Sequence, residues 1–506
     1  MGAAAAAVAN GGRCEAGRCT FAAGRSLRRE NRRLRGQLRQ QERENGTLRR
    51  EVTRLKHEVG RLKSLLEEAR RAAKRPAAPF SRGRPKAHPR KPGRKAGEAY
   101  GKKGCRPVPS KIDETVEAPL PNQCPHCGGE VEPTAVEDQY QTDIPERVAT
   151  KTTRFRVHVG HCRSCRRRVQ GRHPRQTSNG LGAAANQIGP NALALATHLN
   201  KETGVSHGRL ALLFATVFGL RLAKATIVRA IERLGRQAEP LYRQIALVVR
   251  HSGVVYPDET SWRVNGRLRW LWDFVCASAT LYTIRDSRGY DVIQQILGAD
   301  YAGVVGHDGW SPYDRLKLAE HQTCTTHLLR RCRELLEVAS GRAGWFPREL
   351  QALLRAGLAL RDRRDEGMIS GHGLAVSRGR LEARLDRLLY DTWLTNPDNV
   401  RLANHLDAHR HQVFTYLWIP GVEATNWPAE QELRPAVVTR KMSAGNRSDQ
   451  GAQAQEVLMS VLRTCARQRR DPLGLLVKLQ QAATPQQRPR FRFPLGERSP
   501  VDLPAP

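Results

Sequence analysis

Two stretches decide how the centre of this chain folds: VVYPDETSW at residues 254–262 and GVVGHDGWSPYD at residues 303–314. Each contains an apolar, β-branched run that ends on an aspartate, Asp258 in the first stretch and Asp308 in the second. A run of this kind predicts a buried strand. If the two strands lie side by side, their terminal carboxylates come close enough to share metal ions.

A third stretch, ATNWPAEQELR at residues 424–434, predicts the start of a helix. Thr425 or Asn426 can cap this helix. Pro428 fits its first turn, because a missing N–H costs nothing there. The stretch therefore predicts that side chains a few residues further on project from the first turns of a helix.

Two glutamates in those first turns are candidates for a third carboxylate. Glu430 is preferred and Glu432 stays a rival, since residues two positions apart lie on different faces of a helix. A helix packed across the two strands brings its glutamate to Asp258 and Asp308. An all-oxygen set suits Mg²⁺ or Mn²⁺, and its usual chemistry is phosphoryl transfer through two ions about 4 Å apart.

The chain around the aspartates predicts one sheet. Between Asp258 and Asp308 lie two strand-like runs and a helix, at residues 268–276, 279–285 and 290–297. Three antiparallel strands, a crossover helix and a fourth strand form the opening of a ribonuclease-H-like fold, in which the first and fourth strands are neighbours. Residues 344–418 are rich in Arg and Leu and predict a helical insertion before Glu430.

The other acidic residues of this region are interpreted as turn or capping residues, the usual role of a lone carboxylate beside a strand. They are Glu259, Asp273, Asp286, Asp291 and Asp314. Sequence context, more than residue type, separates them from the three candidates.

The bulk composition indicates a polyanion as partner. The 506 residues suffice for roughly three or four folding units of about 100–200 residues. The formal net charge is +36, with 85 Lys and Arg against 49 Asp and Glu, and such a charge favours nucleic acid. No run approaches the roughly 18 apolar residues of a membrane span, and no convincing signal peptide is present. We therefore expect a cytoplasmic, nucleoid-associated protein that does not bind a membrane.

Near the start, residues 27–69 keep strict heptads. Leucines repeat at one core position, valines and asparagines fill much of the other, and glutamates face Arg or Lys across a parallel partner. Leucine at d and matched e/g charges favour a parallel dimer, in which buried asparagines fix the register. The alternative is one long helix packed on the rest of the chain.

A basic tether follows the heptads. Residues 70–104 hold one acidic residue among many Lys and Arg, with five prolines, and cannot fold alone. Its segment RGRP resembles a minor-groove binding core, and RKPGRK repeats the theme. The candidate contacts are Arg82, Arg84, Arg94 and Lys95. A solvated linker with non-specific phosphate contacts is the alternative.

Four of the 11 cysteines form two CxxC units, Cys124 with Cys127 and Cys162 with Cys165. In a reducing compartment this pattern favours metal over disulfides, and four thiolates can enclose a structural Zn²⁺. The segment FRVHVGH, residues 155–161, alternates like a strand and predicts a ribbon with a long hairpin.

A helical region precedes the sheet, with apolar residues at helical spacing over 191–199, 208–218 and 223–234. The short connection around Gly219 resembles a helix-turn-helix. Its second helix would carry a basic face of Lys224, Arg229, Arg233 and Arg236. The alternative is a plain packing unit.

The order of these features is similar to the insertion sequence 66 family of bacterial DDE transposases. It runs from heptads, PGRK tether and paired CxxC through YPDET and DGWSPYD with CTTHLLRR to TNWPAEQELRP with RKMS. The resemblance covers about residues 27–469 and maps the family's catalytic triad onto Asp258, Asp308 and Glu430. Here Trp427, Pro428 and Gln431 depart from the family's usual residues.

The resemblance implies a polynucleotidyl transferase that uses two Mg²⁺ or Mn²⁺ ions. It implies cleavage at the terminal repeats of an insertion sequence and strand transfer into target DNA, with accessory proteins of the element as further partners. Candidates to contact the DNA near the cleaved phosphate are His327, Arg330, Arg331, Arg434, Arg440 and Lys441. The rivals are a dimeric, zinc-containing DNA-binding regulator, such as a domesticated inactive transposase, and a nuclease without strand transfer.

The predicted fold class is multidomain α+β, with a coiled coil, a zinc ribbon, a helical DNA-binding region and a ribonuclease-H-like core that holds a helical insertion. Along the chain we expect a disordered start (1–24), the zipper (25–70), the basic linker (71–110), the ribbon (111–178), the helical region (179–250), the first part of the core (251–340), the insertion (341–420), the last part of the core (421–470) and a partly disordered tail (471–506).

Overall fold

A computed structural model describes residues 16–73 and 108–493, apart from 143, 145–147, 149, 183–186 and 340. The chain divides into two compact units, Met1–Arg75 and Pro76–Pro506. The tether residues Arg82, Arg84, Arg94 and Lys95 lie outside the described residues. None of the helices in the described part is both long enough and apolar enough to cross a membrane.

The described part of the first unit is one helix of 58 residues, α1 (Ala16–Ala73). It begins within the segment predicted to be disordered and continues into the heptads without a break. The leucine and valine side chains of the heptads are 47–58% exposed between Leu34 and Leu62. The helix therefore has an apolar stripe that its own unit does not cover, while the coiled-coil dimer stays a prediction.

The ribbon is shorter than predicted. Strands β1 (Val159–His161) and β2 (Arg168–Gln170) pair antiparallel, and only the last three residues of the expected strand 155–161 take part. The turn between them carries Cys162 and Cys165.

Three helices precede the sheet: α2 (Pro190–Lys201), α3 (His207–Phe218) and α4 (Lys224–Arg250). Gly219 ends α3 with a left-handed φ of 65°, which a glycine adopts without strain. Helix α4 runs 16 residues beyond the predicted end at 234, since apolar side chains recur at helical spacing to its end. Its buried residues include Ile227, Ile231, Leu234, Leu241, Ile245 and Val249.

The second unit is built on a five-stranded mixed sheet. Its strands are β3 (Val254–Val264), β4 (Arg267–Val275), β5 (Thr280–Arg285), β6 (Val304–His307) and β7 (Glu320–Thr323), in the spatial order β5-β4-β3-β6-β7. Strands β3, β4 and β5 pair antiparallel, and β6 runs parallel to both β3 and β7. Helix α5 (Tyr290–Leu297) crosses from β5 to β6, with the predicted bounds. The first and fourth strands are neighbours, as expected.

Strand β3 does not end at Asp258, contrary to the sequence interpretation. It continues to Val264, because residues 256–264 pair with β4 around the tight turn at Asn265 and Gly266. The pairing with β6 covers only Val254 and Val255. Asp258 therefore lies just beyond the point where β3 separates from β6. At this position β3 is still paired with β4.

Helices pack on both faces of the sheet and along one edge. Helix α4 packs against Trp272, Phe274 and Leu281, whereas α10 (Trp427–Ser443) packs against Trp262 and Tyr282 of the opposite face. Helix α11 (Asp449–Arg467) runs along the free edge of β5. There the side chains of Ser460, Thr464 and Glu456 accept the N–H groups of Tyr282, Thr280 and Ile284. These side chains thus accept the backbone hydrogen bonds that a further strand would accept at this edge.

The insertion predicted at 341–420 is helical. It contains α7 (Trp345–Asp365), α8 (Gly371–Tyr390) and α9 (Pro397–Ala408), and follows α6 (Thr325–Val338). These helices share one buried cluster that includes Leu328 of α6 and Leu350 of α7.

The tail predicted at 471–506 is folded over its first part. Helix α12 (Pro472–Gln481) buries Leu476 and Leu479, and Gln480 Nε2 donates to the carbonyl of Pro190 at 3.0 Å. Phe491 is buried as well. This part of the tail packs on the helices before the sheet.

Candidate active site

Asp258 is half-buried on β3, and Glu259 N–H donates to its Oδ1 at 2.8 Å. Burial raises the pKa of this carboxyl from its usual value to about 7, and repulsion from Glu259, Asp308 and Glu430 adds to the rise. The largest charge effects on its pKa come from acidic groups. The position therefore concentrates negative charge.

Asp308 follows β6 directly and is exposed. Its Oδ1 accepts the N–H of Trp310 at 3.0 Å, and Gly309 between them has a φ of 87°. A Cβ on Gly309 would lie 2.9 Å from Nε2 of His405 on α9. The insertion therefore packs tightly against the turn that carries this carboxylate.

Glu430 is half-buried in the first turn of α10, and its N–H donates to the carbonyl of Asn426 at 3.1 Å. Asn426 is the N-cap residue of α10, but its side chain does not form a capping hydrogen bond. Its Nδ2 instead donates to the carbonyl of Pro257 at 2.9 Å. This bond ties the start of α10 to the residue before Asp258.

Glu432 has a different environment from Glu430. It is buried, and it forms salt bridges of 2.7 Å with Arg463 and 3.0 Å with Arg467. The guanidinium groups of Arg463 and Arg467 neutralise the carboxylate of Glu432. The negative charge of Glu430 instead raises the pKa of Asp258. This geometry favours Glu430 over Glu432 as the third carboxylate.

Two acids interpreted as turn residues lie inside the sheet. Asp273 on β4 is fully buried directly opposite Asp258, and neither carboxylate oxygen has a hydrogen-bond partner. Burial raises its pKa well above the usual value, and repulsion from Asp258 and Glu432 adds to this. Glu259 pairs with Arg288 at 2.6 Å and accepts the hydroxyl of Tyr313 at 3.3 Å. The interpretation was wrong because a strand continues through both positions.

The other three acids lie in turns or at helix starts, as interpreted. Asp286 follows β5 and pairs with Arg269 at 2.7 Å. Asp291 lies in the first turn of α5 and accepts the hydroxyl of Ser287 at 2.6 Å. Asp314, in a 3₁₀ turn, interacts with Nε2 of His409 at 3.1 Å.

A metal-ligand group that the sequence interpretation missed adjoins Glu430. Among the described residues, the one set of three potential ligands whose atoms all lie within 4.8 Å of one another is Cys324, His327 and Glu430. Asp258, Asp308 and Glu430 do not form so compact a set, although Asp308 and Glu430 both raise the pKa of Asp258. The available signal was the CxxH spacing at the start of the helix after β7.

The three acidic residues nonetheless fit divalent cations of the Mg²⁺ class. All their donors are oxygens, which Mg²⁺ and Mn²⁺ prefer. The pKa of about 7 at Asp258 indicates an excess of negative charge that a bound cation offsets.

Most of the basic residues predicted near the site are accessible. Arg330, Arg434 and Lys441 are exposed, and Arg331 and His327 are half-buried. The Arg434 guanidinium lies 4.7 Å from the ring centre of Trp427, whose side chain is itself exposed.

Arg440 has a different position. Its Nη1 donates to Thr260 Oγ1 at 2.7 Å and to the carbonyl of Ser261 at 2.6 Å. It therefore joins α10 to β3.

The two CxxC units form matching turns. Cys124 N–H donates to Gly129 O and Gly128 N–H to Cys124 O, both at 2.8 Å, and Cys162 makes the same pair of bonds with Arg167 and Arg166 at 2.9 Å. Backbone N–H groups, first of all that of His126, lower the pKa of the Cys124 thiol, and those of Cys165 and Ser164 lower that of Cys162. In the described residues the four thiols are not gathered into one cluster, so the zinc site stays a prediction.

The comparisons with known proteins agree with the resemblance seen in the sequence. A family model described as "Transposase IS66 family" matches residues 186–454, more than half of the chain. This segment contains Asp258, Asp308 and Glu430. None of the curated proteins compared with the chain matches it. On the family match, the chain belongs to the IS66 family of transposases.

Proposed function

We propose that this transposase is a metal-dependent DDE enzyme, which cleaves DNA at the ends of an insertion sequence and joins the freed ends to target DNA. One observation carries the proposal. The largest charge effects on Asp258 come from acidic residues, and two of these, Asp308 and Glu430, lie at the end of an adjacent parallel strand and in a helix packed on the same sheet. The strand order β5-β4-β3-β6-β7 supports a ribonuclease-H-like core.

Asp258, Asp308 and Glu430 would hold two Mg²⁺ or Mn²⁺ ions. When bound, such ions activate the attacking oxygen and stabilise the leaving oxygen of a phosphodiester. The chain itself supplies placement. Asn426 holds the start of α10 against β3, and the Trp310 N–H orients the carboxylate of Asp308. Preorganised ligands avoid a reorganisation cost when the DNA binds.

Basic side chains of α6 and α10 supply DNA contacts in this proposal. Arg330 and Arg331 project from α6, and Arg434 and Lys441 from α10. Phosphate contacts of this kind position a duplex without reading its sequence. The tether residues Arg82, Arg84, Arg94 and Lys95 would add minor-groove contacts.

Two further parts of the proposal concern assembly. The half-exposed heptad stripe of α1 supports a parallel homodimer. The matching turns of the two CxxC units support a structural Zn²⁺ held by Cys124, Cys127, Cys162 and Cys165.

The decisive experiment uses the full-length protein and a labelled duplex with the ends of its own insertion sequence. We expect nicking and strand transfer in Mg²⁺ but not in EDTA, and loss of both in Asp258→Ala and Asp308→Ala. The matched control is Asp286→Ala, because this aspartate is exposed and lies after the neighbouring strand β5.

Each rival gives a different result in this assay. A DNA-binding regulator binds the duplex without cutting it, and a nuclease cuts without joining. Cleavage that persists in Asp258→Ala would show that these carboxylates are not the catalytic ones.

A further inference from the structure

A second set of metal-binding side chains meets beside the acidic residues. Cys324 directly follows β7 and is the N-cap residue of α6, and His327 lies in the first turn of that helix. Glu430 approaches from the first turn of α10. One potential ligand atom from each residue lies within 4.8 Å of the other two.

Three hydrogen bonds fix the position of Cys324. Its own N–H donates to the carbonyl of His307 at 2.7 Å, and the N–H of Thr325 donates to the carbonyl of Ala424 at 2.9 Å. The N–H of Asn426 donates to the sulfur at 3.2 Å. The relative placement of the helices α6 and α10 is thus fixed at the point where their ligands converge.

The imidazole of His327 is incompletely bonded. Its Nδ1 is buried and has no hydrogen-bond partner. A buried polar atom without a partner is costly unless a ligand, an ion or a water satisfies it. The thiol of Cys324 is buried as well, and its sulfur accepts the N–H of Asn426.

The donor set selects a different ion from that of the three carboxylates. Mg²⁺ takes oxygen ligands, whereas a thiolate, an imidazole and a carboxylate together suit Zn²⁺ and related ions. Three protein ligands leave a fourth position open to water or to an oxygen of the substrate.

We infer that Cys324, His327 and Glu430 form a three-ligand site for one thiophilic divalent cation of the Zn²⁺ class. Binding of this ion is independent of the proposed transposition chemistry. Only one consequence rests on the proposed function. Because Glu430 belongs to both sets, an ion held by Cys324 and His327 competes with the Mg²⁺ site for this carboxylate.

The test measures Co²⁺ binding to the full-length protein with Cys124→Ser and Cys162→Ser, which disable the two CxxC units. Co²⁺ replaces Zn²⁺ and shows an absorption band when a thiolate binds it. We expect one Co²⁺ per chain with this band. Cys324→Ser should abolish the band, and His327→Ala should weaken binding by more than the roughly 10–100-fold typical of an outer-shell partner. Cys332→Ala, which removes a buried thiol from the same helix, is the matched control.

Absence of the thiolate band in the protein with disabled CxxC units would overturn the inference, as would its persistence in Cys324→Ser. Thermal melting checks the fold of each variant, and if Cys324→Ser unfolds, His327→Ala decides. Asp258→Ala separates the two proposals: it should lose DNA cleavage and retain Co²⁺ binding. Loss of Co²⁺ binding in that variant would place the ion among the acidic residues and overturn the inference.

Discussion

Helix α1 and the sheet of the second unit contain the same apolar residue types, but these side chains are exposed in the helix and buried in the sheet. Leucines and valines of α1 are about half-exposed, whereas Leu271, Leu281 and Val305 in the sheet are fully buried. The sheet is covered by helices of its own chain, but the stripe of α1 has no cover within its unit. The difference separates a region whose apolar side chains are buried within one unit from a helix whose apolar stripe stays half-exposed.

The largest expected effect is in the sheet. Trp272→Ala should lower the free energy of unfolding by about 3–5 kcal/mol, because it empties a fully buried site on β4. Urea denaturation measures the loss, which should not depend on protein concentration. Trp393→Ala is the control, since that side chain is 91% exposed and its removal should change little. Equal losses in both variants would contradict the comparison.

The next effect is in α1 and should depend on concentration. Leu55→Ala should weaken dimerisation by about 2–5 kcal/mol and leave the unfolding of the sheet unchanged. Sedimentation equilibrium measures the dimer dissociation constant. His57→Ala, two residues away and outside the core positions of the heptad, is the control. A wild-type protein that stays monomeric at every concentration would remove the basis for this comparison.

One buried acidic side chain, Asp273, lies among the apolar residues of the sheet. The folded-state pKa of Asp273 is raised, so its contribution to stability is fully present below about 4, its unfolded value, and is lost as pH rises through the folded value. Asp273→Asn should therefore stabilise the protein at pH 8 by about 1–3 kcal/mol, the cost of an unsatisfied buried group. Urea denaturation in EDTA from pH 4 to 8 measures it. Asp286→Asn, on an exposed side chain, should leave the pH profile unchanged.

The smallest effect concerns Asp258. With a pKa of about 7 its carboxyl is largely protonated at pH 6, and a metal ion must displace that proton. The Mg²⁺ concentration for half-maximal cleavage should fall with rising pH, by up to about tenfold per unit below pH 7, and level off above it. The same assay in Mn²⁺ controls for a pH effect on the DNA. A requirement that does not change with pH would show that Asp258 is already ionised.

Local patterns in the sequence predicted most elements. The heptads predicted α1, the bounds of α5 were correct, and the alternation of strands with a helix placed the first and fourth strands side by side. Such patterns reflect periodic burial, which short segments encode by themselves.

The errors came where burial depends on distant segments. The polar residues after Asp258 were interpreted as the end of a strand, but pairing with β4 extends β3 through them. Asp273 was interpreted as a turn residue because a lone carboxylate beside a strand usually has that role, yet it lies within β4 on the face that α10 covers.

By itself the sequence determined the residue types of the candidate site, the periodic elements that carry them and the positive charge that favours DNA. Only the tertiary structure decided which glutamate remains free, because Arg463 and Arg467, which neutralise Glu432, lie on a helix that no local pattern connects to it. It also decided that Cys324 and His327 meet Glu430. Both outcomes depend on the packing of helices that are far apart in the chain, and packing is settled by the shape and burial of the whole core.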